Sequence, residues 1–307
     1  MFRAHPTSRH VYTEHLRIPV GTGSLHVERT GRGGPPILLV HGFGSCAFLW
    51  RAVAPQLATK GFTVLAVDLL GHGESDSPDD AAYDLGAQAD YLERVLTALR
   101  LPATAVVGQD IGAVVALVLA ARRPSLVARL ALLNPPNPNE LPGAEIRALQ
   151  RMSARVALGA NAFFGALLLL QPLLQTAVAD PAHMPPLLVA RYLAPFVGSD
   201  GVSRLLRLAS AVDLSNGDLT RFRDVSCPIT LVFGETNDPD ERDRIRGRVE
   251  ALALADARVA TVPGAGRLLA EDAPVELVRL ITDWMGEPPT AVTVDALRQL
   301  LDSQSPD

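Results

Sequence analysis

The sequence predicts an α/β fold: a mostly parallel sheet with helices on both faces and an all-helical insertion. Three observations predict it. Short apolar runs alternate with helix-length runs from residue 37 to 133 and again from 228 to 285. Between about 137 and 222 no strand pattern occurs, and Pro172, Pro181, Pro185, Pro186 and Pro195 are expected to cut a helical stretch into pieces. Finally, Gly108-Gln109-Asp110-Ile111-Gly112 joins a short buried strand directly to a buried helix. Its two glycines allow the helix to pass close to its neighbours and tolerate a strained turn.

The elements follow in order. Val11 to Val20 and Leu25 to Arg29 form a hairpin across Gly21-Thr22-Gly23-Ser24. Gly31 to Pro36 interrupts the chain before the apolar strand Ile37 to Val40. A helix is expected from Ala47 to Lys60, closed by Gly61, and a strand from Phe62 to Val67. The next helix runs from Leu85 to Leu99 with Asp84 as its N-cap. The strand Ala103 to Val107, the helix Ile111 to Ala121 and the strand Leu130 to Leu133 complete the first half. After the insertion come strands at Pro228 to Phe233 and Arg258 to Val262, and a helix from Pro274 to Met285. The expected organisation is a core of residues 1–136 and 223–286, a helical cap of 137–222, and a tail of 287–307 with one weak helix from Val294 to Leu301.

Composition narrows the function. The chain has 307 residues, 48% hydrophobic and 20% charged, which are globular values. A net charge of −5 argues against nucleic acid as a partner. Cys46 and Cys227 offer neither a disulfide framework nor metal-ligand spacing, so a reducing cytoplasm is expected. The most apolar stretch, Val156 to Leu174, is broken by Asn161 and Gln171 and contains nine uninterrupted apolar residues, Ala162 to Leu170, whereas a membrane span needs about 20. The expected partner is therefore a small molecule, with no nucleic acid and no membrane, for a monomer or homodimer. No cofactor and no metal is expected.

The Gly-x-Asp-x-Gly turn resembles the nucleophile elbow of the α/β-hydrolase superfamily. Its aspartate makes it similar to epoxide hydrolases and haloalkane dehalogenases, whose carboxylate attacks carbon. The resemblance covers roughly residues 25 to 286 and implies the α/β-hydrolase fold with a helical cap over the site. His41-Gly42-Phe43-Gly44 after a buried strand resembles the superfamily's oxyanion motif. It implies that the backbone N–H groups of Phe43 and Ile111 stabilise developing negative charge, with His41 and Gly42 beside the substrate. Asp68-Leu69-Leu70-Gly71-His72-Gly73-Glu74-Ser75 resembles a further loop of the family and reads as structural.

The rest of the triad departs from that pattern. The stretch from Pro263 to Pro274 resembles the superfamily's histidine loop, but Arg267 occupies the histidine position. Arginine is always charged and cannot serve as a general base. The acid position is open between Asn237 and Asp238, with the Asp-Pro pair favouring Asp238, while the alternative acid position is Asn134. The catalytic candidates are thus Asp110, Arg267 and Asp238. An inward Arg267 would lower the Asp110 pKa; an outward one would leave burial free to raise it. A structural Asp110–Arg267–Asp238 ion-pair chain is the non-catalytic reading of the same residues.

Other groups complete the candidate site. His183 is the one histidine in the expected cap and the candidate replacement base. Epoxide hydrolases use two cap tyrosines, and here the cap has Tyr192 alone. Ile111 and Phe43 stand where a dehalogenase would grip halide, which tells against dehalogenation. Phe163, Phe164, Leu167, Leu168, Tyr192 and Phe196 suggest an apolar roof, with Trp50 behind the oxyanion loop. The expected function is a non-hydrolytic step on a small, largely apolar metabolite. The alternatives are an epoxide-hydrolase-like enzyme with a relocated base and a silent ligand-binding protein.

Overall fold

The computed structural model describes residues 12–151, 165–213, 218, 221–236, 238, 240–252, 254 and 257–286. Its strands are β1 (Thr13–Pro19), β2 (Ser24–Thr30), β3 (Pro36–Val40), β4 (Thr63–Val67), β5 (Thr104–Gln109), β6 (Val127–Leu133), β7 (Ile229–Glu235) and β8 (Arg258–Pro263). They form one sheet in the order β1-β2-β4-β3-β5-β6-β7-β8. Strand β2 is antiparallel to both neighbours, and every pair from β4 to β8 is parallel. β3 to β6 read as nearly unbroken apolar runs because parallel strands are covered on both faces.

The helices are α1 (Ala54–Thr59), α2 (Leu85–Ala98), α3 (Ile111–Arg122), α4 (Ala144–Gln150), α5 (Gly165–Gln175), α6 (Pro186–Leu193), α7 (Gly198–Ser210), α8 (Glu241–Leu252), α9 (Leu269–Asp272) and α10 (Pro274–Gly286). Asp84 caps α2 as expected, its carboxylate accepting the Ala87 N–H at 3.0 Å. The helix expected from Ala47 to Lys60 is instead two pieces, a 3₁₀ turn Ala47–Trp50 and then α1. Pro55 has no N–H to donate into a preceding turn and sits in the first turn of α1, where that lack costs least. Pro172 also departs from expectation, because it lies inside α5 and does not end it. Pro181, Pro186 and Pro195 behave as expected and lie in the first turns of short elements. The weak helix expected from Val294 to Leu301 lies outside the described residues.

The strand order reverses at β3, which lies between β4 and β5. At such a point the connections leave to opposite sides and open a crevice at the carboxyl ends of the strands. β3 and β5 end side by side, with Val40 paired to Gly108. The His41 loop and Asp110 therefore emerge next to each other. Helix α3 is buried from Ile111 to Ala120, so its start is held firmly beneath that crevice. Between β6 and β7 the regular elements among the described residues are helices, α4 to α7 with short 3₁₀ turns.

Candidate active site

Asp110 has φ +56° and ψ −126°, a conformation that only the surrounding packing can hold. That packing leaves no room beside it. A Cβ on Gly108 would come within 2.4 Å of the Gly112 carbonyl oxygen, and one on Gly112 within 2.3 Å of the His41 oxygen. Gly42 faces Asp110 directly, since a Cβ there would lie 2.7 Å from the Asp110 Cβ. The three glycines thus bring β5, α3 and the oxyanion loop into backbone contact around one carboxylate.

The Phe43 N–H donates to Asp110 Oδ2 at 3.1 Å. Burial pushes the Asp110 carboxyl above its ordinary value, and the Phe43 N–H, the Arg267 charge and the Ile111 N–H only partly offset it. The Glu145 carboxylate on α4 adds to the rise. The two N–H groups expected to face an oxyanion on substrate therefore act on Asp110 itself.

Arg267 turns outward. Its side chain is half exposed, and its guanidinium lies 3.5 Å from the carboxylate of Glu145. No ion pair joins it to Asp110 among the described residues. Asp238 is also elsewhere: it binds Arg244 at 2.7 Å and accepts the Asp240 N–H at 3.0 Å, both on the surface. Those contacts hold its carboxyl below the ordinary value. The Asp110–Arg267–Asp238 ion-pair chain, the non-catalytic alternative, is thus not formed. Asn237, the other acid candidate, lies outside the described residues. Asn134 ties loops together, its amide donating to the Arg267 carbonyl at 3.0 Å and accepting the Gly234 N–H at 3.1 Å.

A cavity of about 160 Å³ lies over Asp110. Phe43, Gly42 and Ile111 line it, together with Leu170, Leu174 and Leu268. Pro136, Gly143, Glu145 and Arg267 also border a larger polar recess of about 710 Å³, so the two spaces meet at the Arg267–Glu145 pair. Glu145 went unnoticed in the sequence because nothing local marks it; only the fold of α4 over the elbow brings it there.

Several expected substrate contacts have other partners. His41 is fully buried: its Nε2 accepts the Leu69 N–H at 3.0 Å, so Nδ1 carries the proton and donates to the Gly42 carbonyl at 2.8 Å. It shapes the oxyanion loop. Trp50 is fully buried and is not among the residues lining the cavity. The Tyr192 hydroxyl donates to Glu271, whose carboxylate also takes two bonds from Arg51 at 2.6 and 2.7 Å. His183 is exposed and bound through Nδ1 to Asp272 at 2.7 Å, which raises its pKa. Neither Tyr192 nor His183 lines the cavity. Phe163 and Phe164 lie outside the described residues.

The acidic pair beside Arg267 proves to be a clamp. Asp272 Oδ2 accepts the Gly266 N–H at 2.7 Å and the Ala179 N–H at 2.8 Å, while Oδ1 faces His183. Asp68 plays a similar part in its loop, accepting the Ala47 N–H at 2.6 Å and the Glu74 N–H at 2.9 Å and facing His26 at 2.7 Å. Both cysteines are free, and burial pushes the Cys46 thiol up to about 12. One group of potential metal ligands occurs among the described residues, His15, His26 and Glu28 on the β1–β2 hairpin. Their rings are already engaged, His15 with His26 at 3.0 Å and His26 with Asp68. No helix among the described residues is long and apolar enough to cross a membrane.

Comparison with known proteins agrees with this architecture. Residues 35–170 match a family model described as the alpha/beta hydrolase fold. The chain is 36% identical over 130 residues to bifunctional epoxide hydrolase 2 of Rattus norvegicus, covering 41% of this chain and 23% of that protein. It is 34% identical over 123 residues to a haloalkane dehalogenase of Mycobacterium marinum, covering 40% of this chain and 39% of that one. The chain thus spans well under half the length of these curated relatives. The crystal structure of Cfl2 from Burkholderia cenocepacia superposes with a TM-score of 0.76 at 28% identity, over 88% of this chain and 95% of that one. The chain has the α/β-hydrolase fold, and an epoxide hydrolase and a haloalkane dehalogenase are among the proteins to which it is similar.

Proposed function

We propose that the protein is a cofactor-independent enzyme in which Asp110 transfers a proton at carbon on a small, largely apolar substrate, without adding water. One observation carries this reading: a carboxyl raised by burial faces an apolar cavity, and no imidazole lines that cavity among the described residues. A base works best when its pKa lies nearer the working pH, and burial moves Asp110 that way. Phe43 fixes Oδ2, which leaves Oδ1 to take a proton from a substrate carbon and return it to another atom of the same molecule. The outcome is an isomerisation, elimination or cyclisation. The helices between β6 and β7 supply apolar walls to the chamber through Ile146, Leu170 and Leu174.

Deuterium exchange tests it. In D2O the protein is expected to wash deuterium into the methyl group of acetophenone, a carbon acid of suitable size. Asp110→Asn should slow that exchange by about 10²–10⁴-fold, the usual share of a general base. Exchange that does not depend on Asp110 overturns the reading.

A second reading is favoured by the way N–H groups seat the carboxylate and by the epoxide hydrolase relative. Asp110 would then open an epoxide as nucleophile, and water would cleave the ester. Styrene oxide in ¹⁸O-water separates the two. A labelled diol, or an Asp110 adduct seen by intact mass, supports the hydrolase; their absence beside Asp110-dependent exchange supports proton transfer.

A further inference from the structure

Two polar side chains at the cavity are buried without partners. Gln109, the last residue of β5, is fully buried, and neither its amide oxygen nor its amide nitrogen has a hydrogen bond. Ser45, in the oxyanion loop, is 3% exposed, and its hydroxyl is likewise unpaired. Both line the chamber that Asp110 faces. Most buried polar groups in folded proteins are satisfied, and an unmet pair costs stability that packing alone would remove. His41, Asn134 and Asp272, also near the elbow, each serve backbone groups. Other unpaired buried side-chain atoms, among them Trp50 Nε1 and His72 Nε2, belong to residues that do not line the chamber, whereas Gln109 and Ser45 do.

We infer that Gln109, assisted by Ser45, is the specificity-determining group of this chamber and recognises a substrate bearing an amide-like edge, a carbonyl acceptor beside an N–H donor. The Gln109 nitrogen donates to the ligand carbonyl, and its oxygen accepts the ligand N–H. The Ser45 hydroxyl supplies a third bond. Around this polar floor the walls are apolar, from Leu141, Ile146, Leu170, Leu173 and Leu174. A cavity of about 160 Å³ holds a ring-sized body, since cavities of about 150 Å³ admit benzene. The substrate class is therefore a small carboxamide or lactam with an apolar ring. This deepens the proton-transfer reading and rests on it for the location of the reacting carbon: a carbonyl held by N–H donors acidifies the neighbouring C–H that Asp110 would take. Recognition itself needs no reaction.

Three probes with equal numbers of heavy atoms test the proposal: benzamide, with donor and acceptor; acetophenone, with the acceptor alone; and cumene, with neither. Ligand-observed NMR titration of the wild-type protein should rank them in that order, with benzamide at least roughly tenfold tighter than cumene, as two net hydrogen bonds provide. Gln109→Met keeps the side-chain length and removes the amide. It should reverse the preference toward cumene and raise the melting temperature of the free protein, because an unmet amide is lost. Ser45→Ala should weaken benzamide by a smaller factor. A Gln109→Met protein that melts lower shows a structural amide and overturns the proposal. So does an unchanged ranking of the three probes. Selective benzamide binding without Asp110-dependent exchange sinks the proton-transfer reading and leaves this one intact.

Discussion

At Asp110 two demands conflict. Burial in the chamber favours the neutral carboxyl, while chemistry by a base needs the anion. The sign of the linkage follows. A carboxyl whose folded pKa is raised binds protons more tightly folded than unfolded, so folding is favoured below its unfolded value and penalised as pH rises through its folded value. Asp110→Asn removes the penalty while keeping the shape of the side chain. It should slow exchange by about 10²–10⁴-fold yet raise the melting temperature, more at pH 8 than at pH 4; about 2–4 °C is expected for each kcal/mol relieved. Arg267 acts on this balance from the rim. Its charge draws the Asp110 pKa down, so Arg267→Gln should shift the rising limb of the pH–exchange profile to higher pH. The melting temperature should barely move, because half-exposed ion pairs contribute about 0–1 kcal/mol. Arg267→His is the complementary test: gain of styrene oxide hydrolysis would show that one missing imidazole separates this chain from a hydrolase.

The strand–elbow–helix unit depends on backbone contact at its glycines. Gly112→Ala places a methyl 2.3 Å from the His41 carbonyl oxygen, and neither backbone can yield freely. A loss of about 1–3 kcal/mol is expected in chemical denaturation, the usual result of overpacking. The loop before α9 and the turn after α5 depend on a different device. Asp272 holds the Gly266 and Ala179 N–H groups together with His183. Asp272→Ala leaves two backbone donors without an acceptor, at about 1–3 kcal/mol for a buried group. His183→Ala removes only an exposed contact and should cost far less. Denaturant midpoints of the two variants check this, and equal losses would show His183 to be the essential member. The acidic pair was legible in the sequence as a motif, but its role was not. Neither carboxylate touches the chamber; each joins segments far apart in the chain.

Across the molecule, the hairpin, the Asp68 loop and the oxyanion loop meet at one buried carboxylate. Burial alone would raise Asp68, but the His26 hydrogen bond and the Ala47 and Glu74 N–H groups more than reverse this and hold it below its ordinary value. A depressed carboxyl contributes stability above its unfolded pKa and loses it as pH falls through its folded one. Melting temperature should therefore fall below about pH 4, and Asp68→Asn should flatten that fall while lowering stability at neutral pH. The sheet order was foreshadowed by alternating apolar runs, because covered parallel strands require them. That Asp110, Phe43 and Ile111 lie together was legible in the sequence, because a tight turn needs glycines at fixed spacing and the His41 loop follows its strand directly. Local chemistry by itself settled those features. It could not settle where Arg267 points, that Glu145 meets it, or that Tyr192, His183 and Asp238 have partners away from the chamber. Those outcomes depend on long side chains from separate elements competing for the same few charges, and only the packing of the helices against the sheet decides which of them come within reach.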